Sequence, residues 1–171
     1  PIRVPDMFPS VDGTVVSPPA TGGTNWMSPA YSPRTGLFYV MAFDGEAEFF
    51  IRDEEYVGGD SFIGGGQQQV LPIERYTSAV RAIDPRTGDR RWEYRLQPQT
   101  WAGLLTTAGD LVFGGSVDGY FYALDAVSGR GLWHIAVGAQ VRAAPMTFAV
   151  DGQQYVTIAA GNVVYTFGLD E

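Results

Sequence analysis

The sequence contains no cysteine, a single histidine and no run of the roughly eighteen apolar residues that a membrane-spanning helix needs. Without cysteine there are no disulfides, thiolate metal sites or cysteine nucleophiles, and the redox compartment stays open. Without a second histidine, His134 has no partner for a metal pair, so we predict a packing or surface role for it. No Met precedes Pro1 and no signal peptide is visible, so we expect a processed or excised chain.

Basic residues are few. The 11 Lys and Arg stand against 19 Asp and Glu, which gives a net charge of −8 and an isoelectric point near 4.5. Such a field repels phosphate backbones and anionic membrane surfaces, so we expect no nucleic-acid partner. Hydrophobic residues make up 45% of the 171 residues, which is enough for a sizeable core.

Glycine and proline are abundant, with 22 and 11 copies, and they punctuate many short stretches of aromatic and branched residues. This pattern predicts an all-β protein. Two eleven-residue segments, Ala82–Trp92 and Ala123–Trp133, share one pattern and lie 41 residues apart. A repeat of this length among short strands is typical of β-propeller blades.

Grouping the predicted strands by four places one blade at Ser28–Arg95 and a second at Gly103–Ala136. A third blade begins at Val141 and is one strand short. Residues 1–24 are predicted to be an irregular lead-in, and residues 44–77 an insertion loop inside the first blade. Three blades cannot close a ring, so we expect residues 1–171 to be part of a larger propeller, or of an assembly that completes it.

The residues of the repeat have structural explanations. The alanine permits close approach of neighbouring sheets, and the Asp and Thr or Ser can bond backbone groups of the turn. Gly88 and Gly129 supply its left-handed residue, and Trp92 and Trp133 are predicted to fill the space between blades. The dipeptides at 118–119 and 151–152, both Asp-Gly, predict type I′ hairpin turns.

Other candidate sites have weak support. The acidic run Asp53–Glu55 is predicted to be a solvated loop rather than a cation site. The glycines at 64–66 lack the Lys and Ser or Thr of a phosphate-binding loop. Ser61 and Ser116 lie near glycines, but neither has a nucleophile-elbow pattern.

The repeat, Ala-x-Asp-x-x-Thr/Ser-Gly-x-x-x-Trp, resembles the tryptophan-docking motif of the quinoprotein dehydrogenases. These are eight-bladed propellers that bind pyrroloquinoline quinone (PQQ) and oxidise alcohols. Two further segments, Gly22–Trp26 and Trp101–Gly115, are similar to stretches in the C-terminal part of that family and occur in the same order. The resemblance therefore implies the C-terminal blades of a PQQ-dependent alcohol dehydrogenase.

The resemblance also implies residue roles. Asn25 would reach the polar edge of the cofactor, Trp101 would lie beside its ring system, and Trp26 would be a neighbour in the same wall. Val141 and Arg142 begin a strand where family members approach the cofactor, and an arginine can pair with its carboxylates. From the residues alone, Asn25 as a turn cap, the indoles as core packing and Arg142 as a solvent-facing side chain stay open.

The family transfers a hydride from an alcohol or sugar to PQQ, with an Asp as base and a bound Ca²⁺. The segments that carry that Asp, the Ca²⁺ ligands and an adjacent-cysteine disulfide are not recognisable here, so we predict no catalytic residue and no metal ligand in this chain. It would supply one wall of the cofactor site. A periplasmic location and a cytochrome c or quinone electron acceptor follow by resemblance.

Two alternatives stay open. Similar repeats occur in an outer-membrane assembly lipoprotein, so the chain could be a non-catalytic scaffold or interaction module. It could also be a free-standing repeat fragment that self-associates to close a ring. If Asn25 and Trp101 line one cavity at the ring axis, the cofactor interpretation is favoured. If they enter separate blade cores, it fails.

Overall fold

The computed structural model describes residues 4–70, 76–96 and 99–168. These residues form antiparallel β-strands, which we number in chain order: β1 Thr14–Val16, β2 Ala30–Ser32, β3 Leu37–Asp44, β4 Ala47–Ile51, β5 Gly65–Gln69, β6 Thr77–Ile83, β7 Arg90–Leu96, β8 Leu104–Thr106, β9 Leu111–Gly115, β10 Tyr120–Asp125, β11 Gly131–Ala136, β12 Met146–Val150, β13 Gln153–Ala160 and β14 Val163–Gly168. No helix in the described ranges could cross a membrane.

The strands form successive blades, as the repeat predicts. The first blade is a sheet in the order β2-β3-β6-β7, and the second follows the order β8-β9-β10-β11. The third, β12-β13-β14, has three strands among the described residues. The all-β propeller class and the grouping of strands into blades are therefore confirmed. The predicted bounds of the first two blades agree with the structure to within two residues, but β12 begins at Met146, five residues after the predicted start of the third blade at Val141.

Two apolar clusters hold the blades together. One contains side chains of the first and second blades, with Tyr39, Val80 and Leu124 fully buried. The other joins the second and third blades around Phe121 and Ile158. Because successive residues of a strand point to opposite faces, Phe121 and Tyr122 of β10 belong to different clusters. One strand thereby links both interfaces.

The two copies of the repeat fold alike. Asp84 Oδ1 accepts the N–H of Arg86, and Asp125 Oδ1 accepts the N–H groups of Val127 and Ser128. The two turn glycines have φ values of 82° and 73°, as predicted for left-handed positions. The sheet register shifts just after the alanine in both copies, where a β-bulge separates residue 82 from 83 and 123 from 124.

The two Asp-Gly turns differ. Asp151 and Gly152 both have positive φ, 52° and 85°, as a type I′ turn requires. At 118–119 only Gly119 has positive φ, and its N–H donates to the carbonyl of Ser116. The type I′ prediction is wrong there, because the loop between β9 and β10 is longer and needs one left-handed residue rather than two.

The insertion and the lead-in form a second compact unit, Pro1–Gly23 with Asp44–Tyr76. Within it β4 pairs with β1 on one side and β5 on the other. The structure thus differs from the predicted irregular lead-in and insertion loop. Val15 pairs with Glu48, and Phe50 with Gly66, across long sequence separations. Local pattern cannot reveal such pairs, because each short strand gains its hydrogen bonds only from a distant partner.

Candidate functional site

The predicted site residues occupy equivalent places in the three blades. Trp26 precedes β2 by four residues, Trp101 precedes β8 by three, and Arg142 precedes β12 by four. Each of these strands is the first of its blade and lies at one edge of its sheet. The three segments that carry the predicted site residues therefore enter their blades in the same way.

Gly103 is where the three segments meet. A Cβ at this position would lie 2.6 Å from the Cβ of Ala144 and 3.2 Å from the backbone N of Ser28. The N–H of the next residue, Leu104, donates to the Ser28 carbonyl at 2.9 Å. Only glycine permits this approach. The chain segments after Trp26, after Trp101 and after Arg142 are thus brought into contact at one point.

Two indoles stack on each other in this region. The rings of Trp26 and Trp101 are stacked, with centroids 5.9 Å apart and planes only 11° from parallel. Trp101 is half-buried, whereas Trp26 is 62% exposed. The neighbours Met27 and Ala102 are buried in the two apolar clusters and anchor the backbone. The outer indole therefore presents a flat, rigidly supported face to solvent.

Asn25 and Trp101 do not enter separate blade cores. Asn25 is exposed and immediately precedes the outer indole of the stacked pair. Its carboxamide can donate and accept hydrogen bonds beside that flat face. The stacking of Trp26 on Trp101 brings the segment that contains Asn25 next to the segment that contains Trp101.

Val141 and Arg142 differ in the exposure of their side chains. Val141 is fully buried in the second apolar cluster, and its N–H donates to the carbonyl of Ser116. Its side chain belongs to the core, so only its backbone can contribute to an open site. Arg142 is exposed, and its guanidinium donates to Gln140 Oε1 from Nε at 3.2 Å and from Nη2 at 3.0 Å. That leaves other guanidinium N–H groups for an anion.

Sequence reasoning missed Phe43. This side chain is 3% exposed, and its ring meets Trp101 edge-on, with centroids 4.6 Å apart and planes at 61°. Phe43 ends an unbroken apolar run, Leu37–Phe43, which indicates a buried strand. Nothing in that run shows that its ring contacts Trp101, which lies 58 positions later.

The described residues contain no group of three or more His, Cys, Asp or Glu side chains that could hold a metal ion. His134 is exposed on β11, with its ring 5.7 Å from that of Tyr120. Asp53–Glu55 are exposed as well, and Glu54 Oε1 accepts the N–H of Gly64 at 3.0 Å. The structure thus supports the predicted surface positions of the histidine and the acidic run.

The sequence is similar to proteins of known activity. It is 41% identical over 157 residues to the quinoprotein ethanol dehydrogenase of Pseudomonas aeruginosa, an alignment that covers 91% of this chain. The profile of the family described as glucose/ethanol/alcohol dehydrogenase, beta-propeller domain, matches residues 95–156.

The chain belongs to the quinoprotein alcohol dehydrogenase family.

Solved structures of the same family resemble this chain. A quinohemoprotein alcohol dehydrogenase from Pseudomonas putida superposes on 89% of this chain with a TM-score of 0.81 and 31% identity. A europium-containing methanol dehydrogenase superposes on 84% with a TM-score of 0.75 and 31% identity. The chain spans about a quarter of these family members, 25% of the ethanol dehydrogenase and 24% and 26% of the two structures. It therefore corresponds to a few blades of their propellers.

Proposed function

We propose that residues 1–171 form the C-terminal part of a quinoprotein propeller, with residues 44–76 as an inserted unit, and that they supply one wall of a PQQ site. The observation that carries this proposal is the stacked pair of Trp26 and Trp101 at the meeting point of three blades. The family relationship supplies the identity of the cofactor.

The side chains present fit PQQ, which is flat, aromatic and rich in carboxylates. The exposed face of Trp26 matches a planar ring system in shape and polarisability. Asn25 can donate to a quinone carbonyl, and the guanidinium of Arg142 can pair with a carboxylate. Val141 would take part through its backbone alone, because its side chain is buried.

The proposed reaction is oxidation of an alcohol or a sugar. When bound, PQQ accepts the hydride from the alcohol carbon. The residues of this chain contribute binding and orientation: the indoles hold the plane of the ring, Asn25 orients its polar edge, and Arg142 offsets negative charge. The general base and the ligands of a Ca²⁺ or lanthanide ion are assigned to other blades.

Relatives whose names specify ethanol or a europium-containing methanol dehydrogenase support a small alcohol, and the second name supports a lanthanide beside the Ca²⁺ that the resemblance implies. A periplasmic location and a cytochrome c or quinone as electron acceptor complete the proposal. The repeat tryptophans are assigned to blade packing, and the contacts to the cofactor are assigned to the residues before β2, β8 and β12.

The test is a titration of the complete gene product, freed of cofactor, with PQQ in the presence of Ca²⁺ or a lanthanide. Trp26→Ala should weaken PQQ binding about tenfold, the equivalent of roughly 1.4 kcal/mol lost from one aromatic contact. Trp133→Ala is the matched control, since Trp133 is also partly exposed, at 41%, but lies on the outer strand of the second blade.

An unchanged PQQ affinity in the Trp26→Ala variant would show that this indole does not contact the cofactor. A wild-type protein that binds no PQQ with either metal would contradict the enzymatic proposal and favour the scaffold interpretation. Activity towards a series of alcohols and sugars, measured with an artificial electron acceptor, then identifies the substrate class.

A further inference from the structure

We propose that the loop of residues 52–64 packs on the blade that precedes the first one in the complete propeller, where its apolar tip meets apolar side chains edged by basic residues. This inference concerns the inserted unit and goes beyond the cofactor site. It rests on one part of the proposed function, that residues 1–171 belong to a larger propeller, and not on the proposed binding of PQQ.

The loop joins β4 to β5 and is held closed at its base. The N–H of Arg52 donates to the carbonyl of Gly64 at 3.0 Å, and Glu54 Oε1 accepts the N–H of Gly64 at 3.0 Å. Within the loop, the N–H of Asp60 donates to the carbonyl of Val57 at 3.1 Å. Loops whose ends meet and whose own groups contact each other are compact and frequently functional. This loop therefore has a defined surface to present.

The tip of the loop is apolar. Tyr56 is 71% exposed, Val57 57%, Phe62 51% and Ile63 75%. The rings of Tyr56 and Phe62 meet edge-on, with centroids 5.8 Å apart and planes at 85°. Because this contact joins two pairs of adjacent residues, the four side chains form one patch. An apolar patch with polar residues beside it marks an interaction surface.

Carboxylates accompany the apolar tip. Asp53, Glu54, Glu55 and Asp60 are all exposed, and Arg52 is the one basic residue of the loop. A two-fold contact between copies of the chain would place the same patch on both sides and bring these carboxylates face to face. An anionic lipid surface would be repelled for the same reason. A protein surface that combines apolar with basic side chains fits the loop.

The place of the insertion in the chain indicates where that surface lies. Residues 44–76 leave the first blade at the end of β3 and return to it at the start of β6. Of the two apolar clusters, only the one shared with the second blade contains side chains of the first blade. In a closed ring every blade has two neighbours, and this chain spans 25% of its ethanol dehydrogenase relative. The blade that precedes the first one is therefore the partner of the loop.

The test measures how accessible the tip is in the complete gene product. Val57→Cys and Ile63→Cys place thiols at the tip, and Val127→Cys is the matched control, because Val127 is 63% exposed on the second repeat turn. Each variant is labelled with N-ethylmaleimide, a neutral reagent, in the folded state and again in urea, with the wild-type protein as the blank. We expect both tip thiols to react at least about tenfold more slowly than the control thiol in the folded state, and all three at similar rates in urea.

Tip thiols that react as fast as the control thiol in the folded protein would overturn the proposal. Protection that is lost on dilution would also overturn it, because it would indicate a contact between copies. A wild-type protein that binds no PQQ would contradict the proposed function and leave the labelling result unaffected.

A second pair of variants tests the basic edge of the partner surface. Glu55→Lys, added to Ile63→Cys, should raise the labelling rate several-fold, because it brings like charges together. Asp89→Lys, at an exposed carboxylate of the first repeat turn, should leave that rate unchanged. Equal labelling rates in the two double variants would overturn the assignment of basic residues to the partner.

Discussion

The first and second blades meet through Trp92, and the second and third through Trp133, yet the same repeat position has different surroundings. Trp92 Nε1 donates to the carbonyl of Ala126 at 3.0 Å, and its indole lies against Gly129 of the next blade. Trp133 is 41% exposed and contacts the rings of Phe121 and Phe167.

Among the described residues, different groups cover the two indoles. Trp92 packs on the turn that follows the third strand of the second blade. Trp133 contacts aromatic rings of its own blade and of β14. The comparison teaches that a turn and a backbone hydrogen bond hold the first indole, whereas ring contacts hold the second.

Replacing either repeat tryptophan should have the largest effect on the free energy of unfolding. Trp92→Ala should lower the free energy of unfolding by about 3–5 kcal/mol, because it removes a packed indole and its hydrogen bond to the next blade. Trp133→Ala should cost about half as much, since a large part of its indole is already in water. Urea denaturation of both variants measures the difference, and equal losses would show that the Gly129 turn adds nothing.

The two turn glycines of the repeat, Gly129 and Gly88, test how much the contact with Trp92 contributes to stability. Gly129→Ala puts a Cβ 2.5 Å from Cε3 of Trp92 at a φ of 73°, so it combines a steric clash with backbone strain. Gly88 has nearly the same backbone, with a φ of 82°, but no atom within 4 Å of the new Cβ.

We expect a loss of about 1–2 kcal/mol for Gly88→Ala, from strain alone, and roughly 1–3 kcal/mol more for Gly129→Ala, from the added overpacking. Thermal denaturation of the two variants side by side measures this. If Gly88→Ala destabilises as much as Gly129→Ala, the contact with Trp92 is not the cause.

Two tyrosines at the first interface form a smaller contrast. Tyr39 OH donates to the carbonyl of Ala126 at 2.9 Å and lies 2.7 Å from Thr35 Oγ1. Tyr122 OH is buried and has no hydrogen-bond partner among the described residues.

Tyr39→Phe should cost about 1 kcal/mol, whereas Tyr122→Phe should be neutral or slightly stabilising, because it removes a buried hydroxyl without a partner. Chemical denaturation distinguishes these outcomes. A clear loss in Tyr122→Phe would indicate a partner for that hydroxyl, such as an ordered water molecule.

The smallest effect is the acid dependence of the two repeat turns. Hydrogen bonds from Arg86 lower the pKa of the Asp84 carboxyl from about 3.8 to about 2, and those from Ser128 lower the pKa of Asp125. A carboxyl whose pKa is lower in the folded state than in the unfolded state stabilises the fold at pH values above its unfolded-state pKa. This contribution is lost as the pH falls through its folded-state pKa.

We therefore expect Asp84→Asn to flatten the loss of stability between about pH 4 and pH 2, and Asp125→Asn to flatten it less. Denaturation midpoints measured across that range test both variants. A wild-type slope retained in Asp84→Asn would show that other carboxyls govern the acid response.

Much of the fold could be predicted because its signals are local. The aromatic and branched residues of β10 and β14 and the Asp and Gly of each repeat turn act within a few residues, and those strands and turns were confirmed. The sheet of β1, β4 and β5 could not be predicted, since Val15 and Glu48 become partners only through distant pairing.

Some residues of the candidate site could be predicted from the sequence, and others could not. Sequence pattern singled out Asn25, Trp26 and Trp101 through motifs, and their roles toward a cofactor stay a prediction. The buried side chain of Val141 and the support from Phe43 were not predictable, because both depend on which side chains from other strands face them.

The sequence by itself determined the blades, since a repeated turn and strand alternation are short-range properties of the backbone and its side chains. Tertiary structure alone decided which tryptophan is covered, which valine is buried and which phenylalanine supports the indole pair. The physical reason is that burial and ring contacts are shared between residues far apart in the chain, and their geometry exists only once the blades have packed.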